Sequence, residues 1–153
     1  MVELDVWPDI ACPWCYVGKR RLESALAQHG GDVAVTWHSF ELDPGAPTVR
    51  DDARDNADRL ARKYGMSREQ ALASMEQLTQ MAALDGLALD LVGARGGNTF
   101  DAHRLSHLAL EHGIQDAVVE RLMRGYHCER AAIGDHDTLR ALAGNLPANE
   151  ANA

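Results

Sequence analysis

The N-terminus, MVELDVWPDI, has neither the basic start nor the apolar run of roughly 7–15 residues that a secretory signal needs, and carries acids instead. No apolar stretch in the chain approaches the roughly 20 residues of a membrane-spanning helix. Basic residues are also in deficit: 15 Lys and Arg against 23 Asp and Glu give a net charge of −8 and a pI near 5.2. That balance argues against nucleic-acid or anionic-membrane partners, which need a basic surface. There is no repeat and no low-complexity tract. What remains is a 153-residue chain, 46% hydrophobic and 25% charged, an ordinary globular composition with enough length for a real core. A reducing cytoplasm is the expected compartment, with small-molecule or protein thiols and disulfides as partners and a homodimer among the assemblies left open.

Val2, Leu4 and Val6 alternate with Glu3 and Asp5, the period of a strand that Pro8 brings to an end. From Pro13 to His29 the pattern becomes helical and stops at Gly30–Gly31. A second strand is expected over Val33 to Leu42, closed by the turn DPGAP. Strand, helix and strand within about forty residues read as a βαβ unit with parallel strands. Everything after Pro47 reads as helix: about Asp51 to Tyr64, then from a capping box at Ser67–Gln70 to about Asp85, then about Asn98 to His112, Gln115 to Cys128, and Asp135 to Ala143 with Asp135 as N-cap. This divides the chain into a βαβ part at 1–44, a helical part at 45–143 and a tail at 144–153 with little to bury.

Two of the three cysteines stand in the stretch DIACPWCYVGKRRLESAL, where the strand gives way to the helix. Cys12 at the N-cap faces unpaired backbone N–H groups and the positive end of the helix dipole, both of which favour thiolate. Pro13 suits the first helical position. Cys15, three residues on, shares the face of Cys12 one turn deeper, so Cys12 attacks a disulfide and Cys15 resolves the mixed disulfide. Trp14 offers apolar surface to an extended substrate. The basic run Lys19–Arg21 lies seven residues of helix away, about 10 Å and near one Debye length, so it has little influence on the sulfur. Structural zinc needs four ligands, and only Cys128 is left to join the pair. His103 and His107, one turn apart, share a face with Phe100 and Leu110 and read as packed or hydrogen-bonded histidines. An inert pair of buried thiols is the remaining alternative, and is the favoured reading for Cys128.

DIACPWCYVGKRRLESAL, with WHSFELDP, GMSREQ, GGNTFDAHRLSHLALEHG and IGDHDTLRALA further on, resembles the DsbA-like thioredoxin-fold oxidoreductases, in the cytoplasmic branch called FrnE-like. The resemblance implies an α/β chain: a thioredoxin-like βαβ start with a large all-α insertion. It also implies Cys12 as attacking and Cys15 as resolving thiol, Pro13 and Trp14 as the dipeptide that tunes them, and a cleft to which Asn98, His103 and Arg104 contribute. The redox-active group would be the Cys12–Cys15 disulfide itself, with glutathione as a conceivable co-substrate and no metal or other cofactor. The family closes its sheet with two more strands, the first introduced by a cis-proline; none of Pro8, Pro13, Pro44, Pro47 and Pro147 precedes a strand-like run in the final third. The expectation is therefore a fold lacking those strands, with open sheet edges.

Three functional readings follow. Thiol–disulfide exchange leads. Second is glutathione-dependent isomerase or transferase chemistry of the kappa-like branch, which normally carries serine at the attacking position. The third is a catalytically inactive helical interaction module.

Overall fold

The computed structural model describes residues 1–50 and 54–144. Strand β1 (Val2–Val6) and strand β2 (Val33–Trp37) flank helix α1 (Pro13–His29). They pair in parallel, from Val2 opposite Val33 to Val6 opposite Trp37. β2 ends five residues before the expected Leu42. After Val6 the ladder continues only as single bonds, His38 N–H to Val6 O at 2.7 Å and Phe40 N–H to Pro8 O at 3.1 Å, because Pro8 has no N–H to return. Among the described residues the sheet has these two strands.

Five helices follow: α2 (Asn56–Tyr64), α3 (Arg68–Leu84), α4 (Phe100–Glu111), α5 (Gln115–Cys128) and α6 (His136–Gly144). α2 starts later than the expected Asp51, of which residues 51–53 lie outside the described part. Asp55 sets the start by accepting the Asp58 N–H at 3.0 Å as N-cap. Ser67 and Gln70 form the expected reciprocal capping box of α3. Asn98 takes the Phe100 N–H at 2.8 Å and so precedes α4 rather than opening it. Asp135 accepts the Thr138 N–H at 2.8 Å, as the N-cap reading required. The tail expected at 144–153 lies, beyond Gly144, outside the described residues.

α2 packs on α3, α4 on α5, α5 on α6, and α5 also crosses β2. The last contact is stitched by Gln115, whose amide donates to Trp37 O at 2.6 Å and accepts the Trp37 N–H at 3.1 Å. The core runs from Ile10, Tyr16 and Val17 through Val118, Val119, Leu122 and Met123 to Ile133, so the N-terminal unit and the later helices share one apolar interior. Gly134 is required where it stands: a Cβ there would collide with the Thr48 carbonyl. None of the helices among the described residues is long and apolar enough to cross a membrane.

Candidate active site

Cys12 is the N-cap of α1, in extended conformation (φ −88°, ψ 113°), and Pro13 occupies the first helical turn. The loop that delivers it is built around Asp9. The Asp9 carbonyl accepts the Cys12 N–H at 3.2 Å, and its carboxylate accepts the Ala11 N–H at 3.5 Å, the Leu42 N–H at 2.8 Å and a bond from His103 Nε2 at 3.2 Å. One buried side chain thus ties the β1–α1 loop to the segment after β2 and to α4. Burial pushes the Asp9 carboxyl up, but the bonds from His103, Leu42 and Thr99 outweigh it and hold the pKa below its ordinary value. Next in sequence, the carbonyl of Ile10 lies 2.9 Å from Nε2 of the buried His127.

The two sulfurs are partly buried and unequal. The Cys15 thiol, by hydrogen bonding to Cys12, pulls the Cys12 pKa down to about 6 against burial, and the backbone N–H groups of Cys15 and Trp14 assist. Cys12 makes no full capping hydrogen bond, so its neighbour rather than the helix end contributes most. The same bond, with burial, pushes the Cys15 pKa well above the ordinary thiol range. The negative charge of Asp9 raises both. A pKa near 6 leaves Cys12 mostly thiolate at neutral pH, while Cys15 keeps its proton in the bond between them. Trp14, 58% exposed, stands beside them.

The basic run is spent elsewhere. Lys19, fully buried, meets Glu23, Asp116 at 3.2 Å and Glu120 at 3.4 Å. Arg20 binds Glu23 at 2.6 Å and Glu120 at 2.8 Å, and Arg21 binds Asp85 at 3.0 Å.

Cys12, Pro13 and Trp14 open into a cavity of about 770 Å³ whose far side is made by α2 and α3. Of the other residues singled out from the sequence, none of Asn98, His103 and Arg104 lines it. Asn98 borders a smaller, polar pocket beside Glu41 and Thr48, and Arg104 points to solvent with Asp101 at 2.8 Å. His103 reaches the cysteine loop through Asp9. The histidine face is buried only at His103: His107 is exposed and bonds Ser39 at 2.7 Å, and Phe100 and Leu110, expected to pack there, are 56% and 45% exposed. Cys128, partly buried, has its pKa raised by that burial. Among the described residues, no three His, Cys, Asp or Glu side chains gather as metal ligands.

Asp9 and His127 escaped the sequence reading. An aspartate just before a helix start has a local signature, an Asx turn; His127 has none, since its partner lies 117 residues away.

A family model described as the DSBA-like thioredoxin domain matches residues 3–153. The chain is similar to a solved structure titled as a probable DsbA oxidoreductase from Streptomyces coelicolor, with 44% identity and a TM-score of 0.85 over 94% of this chain and 62% of that one. An uncharacterized Bacillus subtilis protein, YwbO, is 41% identical over 54 residues, 35% of this chain and 26% of that protein. The chain thus spans less than two thirds of either relative.

Proposed function

We propose that this chain, which belongs to the DSBA-like thioredoxin domain family, is a thiol–disulfide oxidoreductase working through the Cys12–Pro13–Trp14–Cys15 motif. The observation that carries the reading is the asymmetry of the pair, with Cys12 lowered to about 6 and Cys15 pushed up by the same hydrogen bond.

The Cys12 thiolate attacks one sulfur of a substrate disulfide, and the other leaves as a thiolate that takes up a proton. Once Cys12 is in a mixed disulfide, Cys15 loses the neighbour that held its proton and ionises more readily. Its thiolate attacks Cys12, releases the bound half of the substrate and closes the Cys12–Cys15 disulfide. Run backwards, the oxidised pair makes a disulfide from a dithiol. The redox poise of the compartment sets the net direction, which in a reducing cytoplasm favours the dithiol, with thiols such as glutathione returning electrons to the pair.

Thiol trapping with mass analysis in graded glutathione buffers tests this. Cys12 and Cys15 are expected to pass together between dithiol and disulfide, faster than model thiols at neutral pH. A pair that does not interconvert rejects the proposal. A Cys12→Ser chain that kept full activity on glutathione-dependent substrates would point instead to the kappa-like isomerases and transferases.

A further inference from the structure

The cavity behind Cys12 is larger and more apolar than exchange between two sulfurs requires. Its volume, about 770 Å³, lies within the roughly 300–1,000 Å³ of pockets that enclose small organic ligands. Its far wall carries a continuous set of aliphatic and sulfur groups, Leu60 from α2, Met66 after it, and Met75, Leu78 and Met81 from α3, alongside the charged Arg59 and Lys63 of α2. Three of the chain's five methionines stand on this wall. Methionine is unbranched and polarisable, so such a wall adapts to varied apolar shapes instead of selecting one.

Resting on the oxidoreductase reading, we propose that the substrates of this site are low-molecular-weight disulfides and thiols with an apolar carbon skeleton, the skeleton seated against α2 and α3 while its sulfur meets Cys12. The location of Cys12 on the cavity lining makes this a reaction site and not merely a crevice: a molecule in the cavity has its sulfur end at the one thiol held as thiolate. Cys12 attacks the sulfur that bears the skeleton, giving a Cys12–S–S–R mixed disulfide and expelling the other sulfur as a thiolate. Cys15 then displaces RS⁻, which takes up a proton, and the protein is left with the Cys12–Cys15 disulfide. Two electrons have passed from the dithiol to the substrate.

A series of n-alkyl 2-pyridyl disulfides, from ethyl to octyl, separates the chemistry from the cavity, because every member releases the same coloured 2-thiopyridone. Rates are taken with the reduced chain and divided by those of a small model thiol at the same pH. The normalised rate is expected to rise with each methylene until the cavity is filled, by up to about fourfold per group, the factor that burial of one CH₂ supports. Ser74→Trp on the exposed face of α3, which narrows the cavity from a position where folding is not at stake, is expected to flatten the rise; Met81→Gln, which makes the wall polar, is expected to do the same. A fast ethyl reaction with no dependence on chain length overturns the inference and leaves the oxidoreductase reading standing. So does faster oxidation of the pair by an unfolded protein disulfide than by the octyl probe. If even the ethyl probe reacts no faster than with the model thiol, the oxidoreductase reading itself fails.

Discussion

The first turn of α1 and its middle put the same kinds of neighbours to opposite uses. In its first turn Cys12 and Cys15 lean on one another and on backbone N–H groups, with Trp14 in solvent and a cavity beside them. Less than two turns further on, Lys19 is enclosed by Glu23, Asp116 and Glu120, Arg20 joins two of the same carboxylates, and the Tyr16 hydroxyl donates to Glu120 at 2.8 Å. Lys19 also sits 5.6 Å from the centre of the Trp37 ring, whose Nε1–H donates to Asp116 at 2.9 Å. Those cations are neutralised in fastening α1 to α5 and β2, so the acidity of Cys12 has a local origin. Reactivity and anchorage on one helix are therefore separable by mutation.

The largest expected effect is at the reactive end: Cys12→Ser should drop disulfide exchange by at least about 10³-fold, to the rate without protein, since the thiolate is the nucleophile; stopped-flow reduction of a model disulfide reads this. At the anchoring stretch, Lys19→Met takes the buried ammonium away from three carboxylates and leaves Arg20 to hold only Glu23 and Glu120. It should cost about 3 kcal/mol in urea unfolding, the low end for breaking a buried pair because Asp116 reaches solvent, while the pH midpoint of Cys12 alkylation stays put. A midpoint that moved with Lys19 would erase the contrast between the two stretches.

Cys15→Ala sharpens the same contrast from the other side. Without its donor, the alkylation midpoint of Cys12 should rise from about 6 by about one unit, the worth of one hydrogen bond, whereas Cys15→Ser keeps most of the effect. The lowered Cys12 pKa also stabilises the reduced fold. Its contribution is complete above the ordinary thiol value of 9.0 and is lost as pH falls through about 6.

Smaller effects belong to the residues behind the loop. His127→Phe keeps a ring against Tyr16 but leaves the Ile10 carbonyl without its donor, which should cost about 1–2 kcal/mol at pH 7. Burial draws the His127 pKa from 6.5 to about 4. As pH falls between those values the unfolded chain takes up the proton first, so the wild type loses stability there, and unfolding curves of the two chains should converge toward pH 4. Arg104→Ala removes only an exposed ion pair with Asp101; a change under about 0.5 kcal/mol and unaltered exchange are expected.

Each helix was legible in the sequence because its signals are local. Ser67 and Gln70 announce α3 by a pattern four residues long, Asp135 announces α6, and Pro13 beside Cys12 marks the start of α1. Strand β2 was read too long because its apolar pattern continues past Trp37, whereas the ladder depends on its partner, and Pro8 ends that partner's donors. The histidine pair was half legible: spacing placed His103 and His107 on one face, but which of them is buried depends on where Asp9 and Ser39 lie.

By itself the sequence determined which sulfur stands at the helix start, since the order strand, Cys12, Pro13, helix is a matter of neighbours along the chain. Tertiary structure decided what surrounds that sulfur. Asp9 reaches across 94 residues to His103, Ile10 across 117 to His127, and the cavity wall comes from helices that begin more than forty residues after Cys12. Backbone propensity acts over a few residues and can be read in order; burial and charge pairing act across space, and only the folded chain says what meets what.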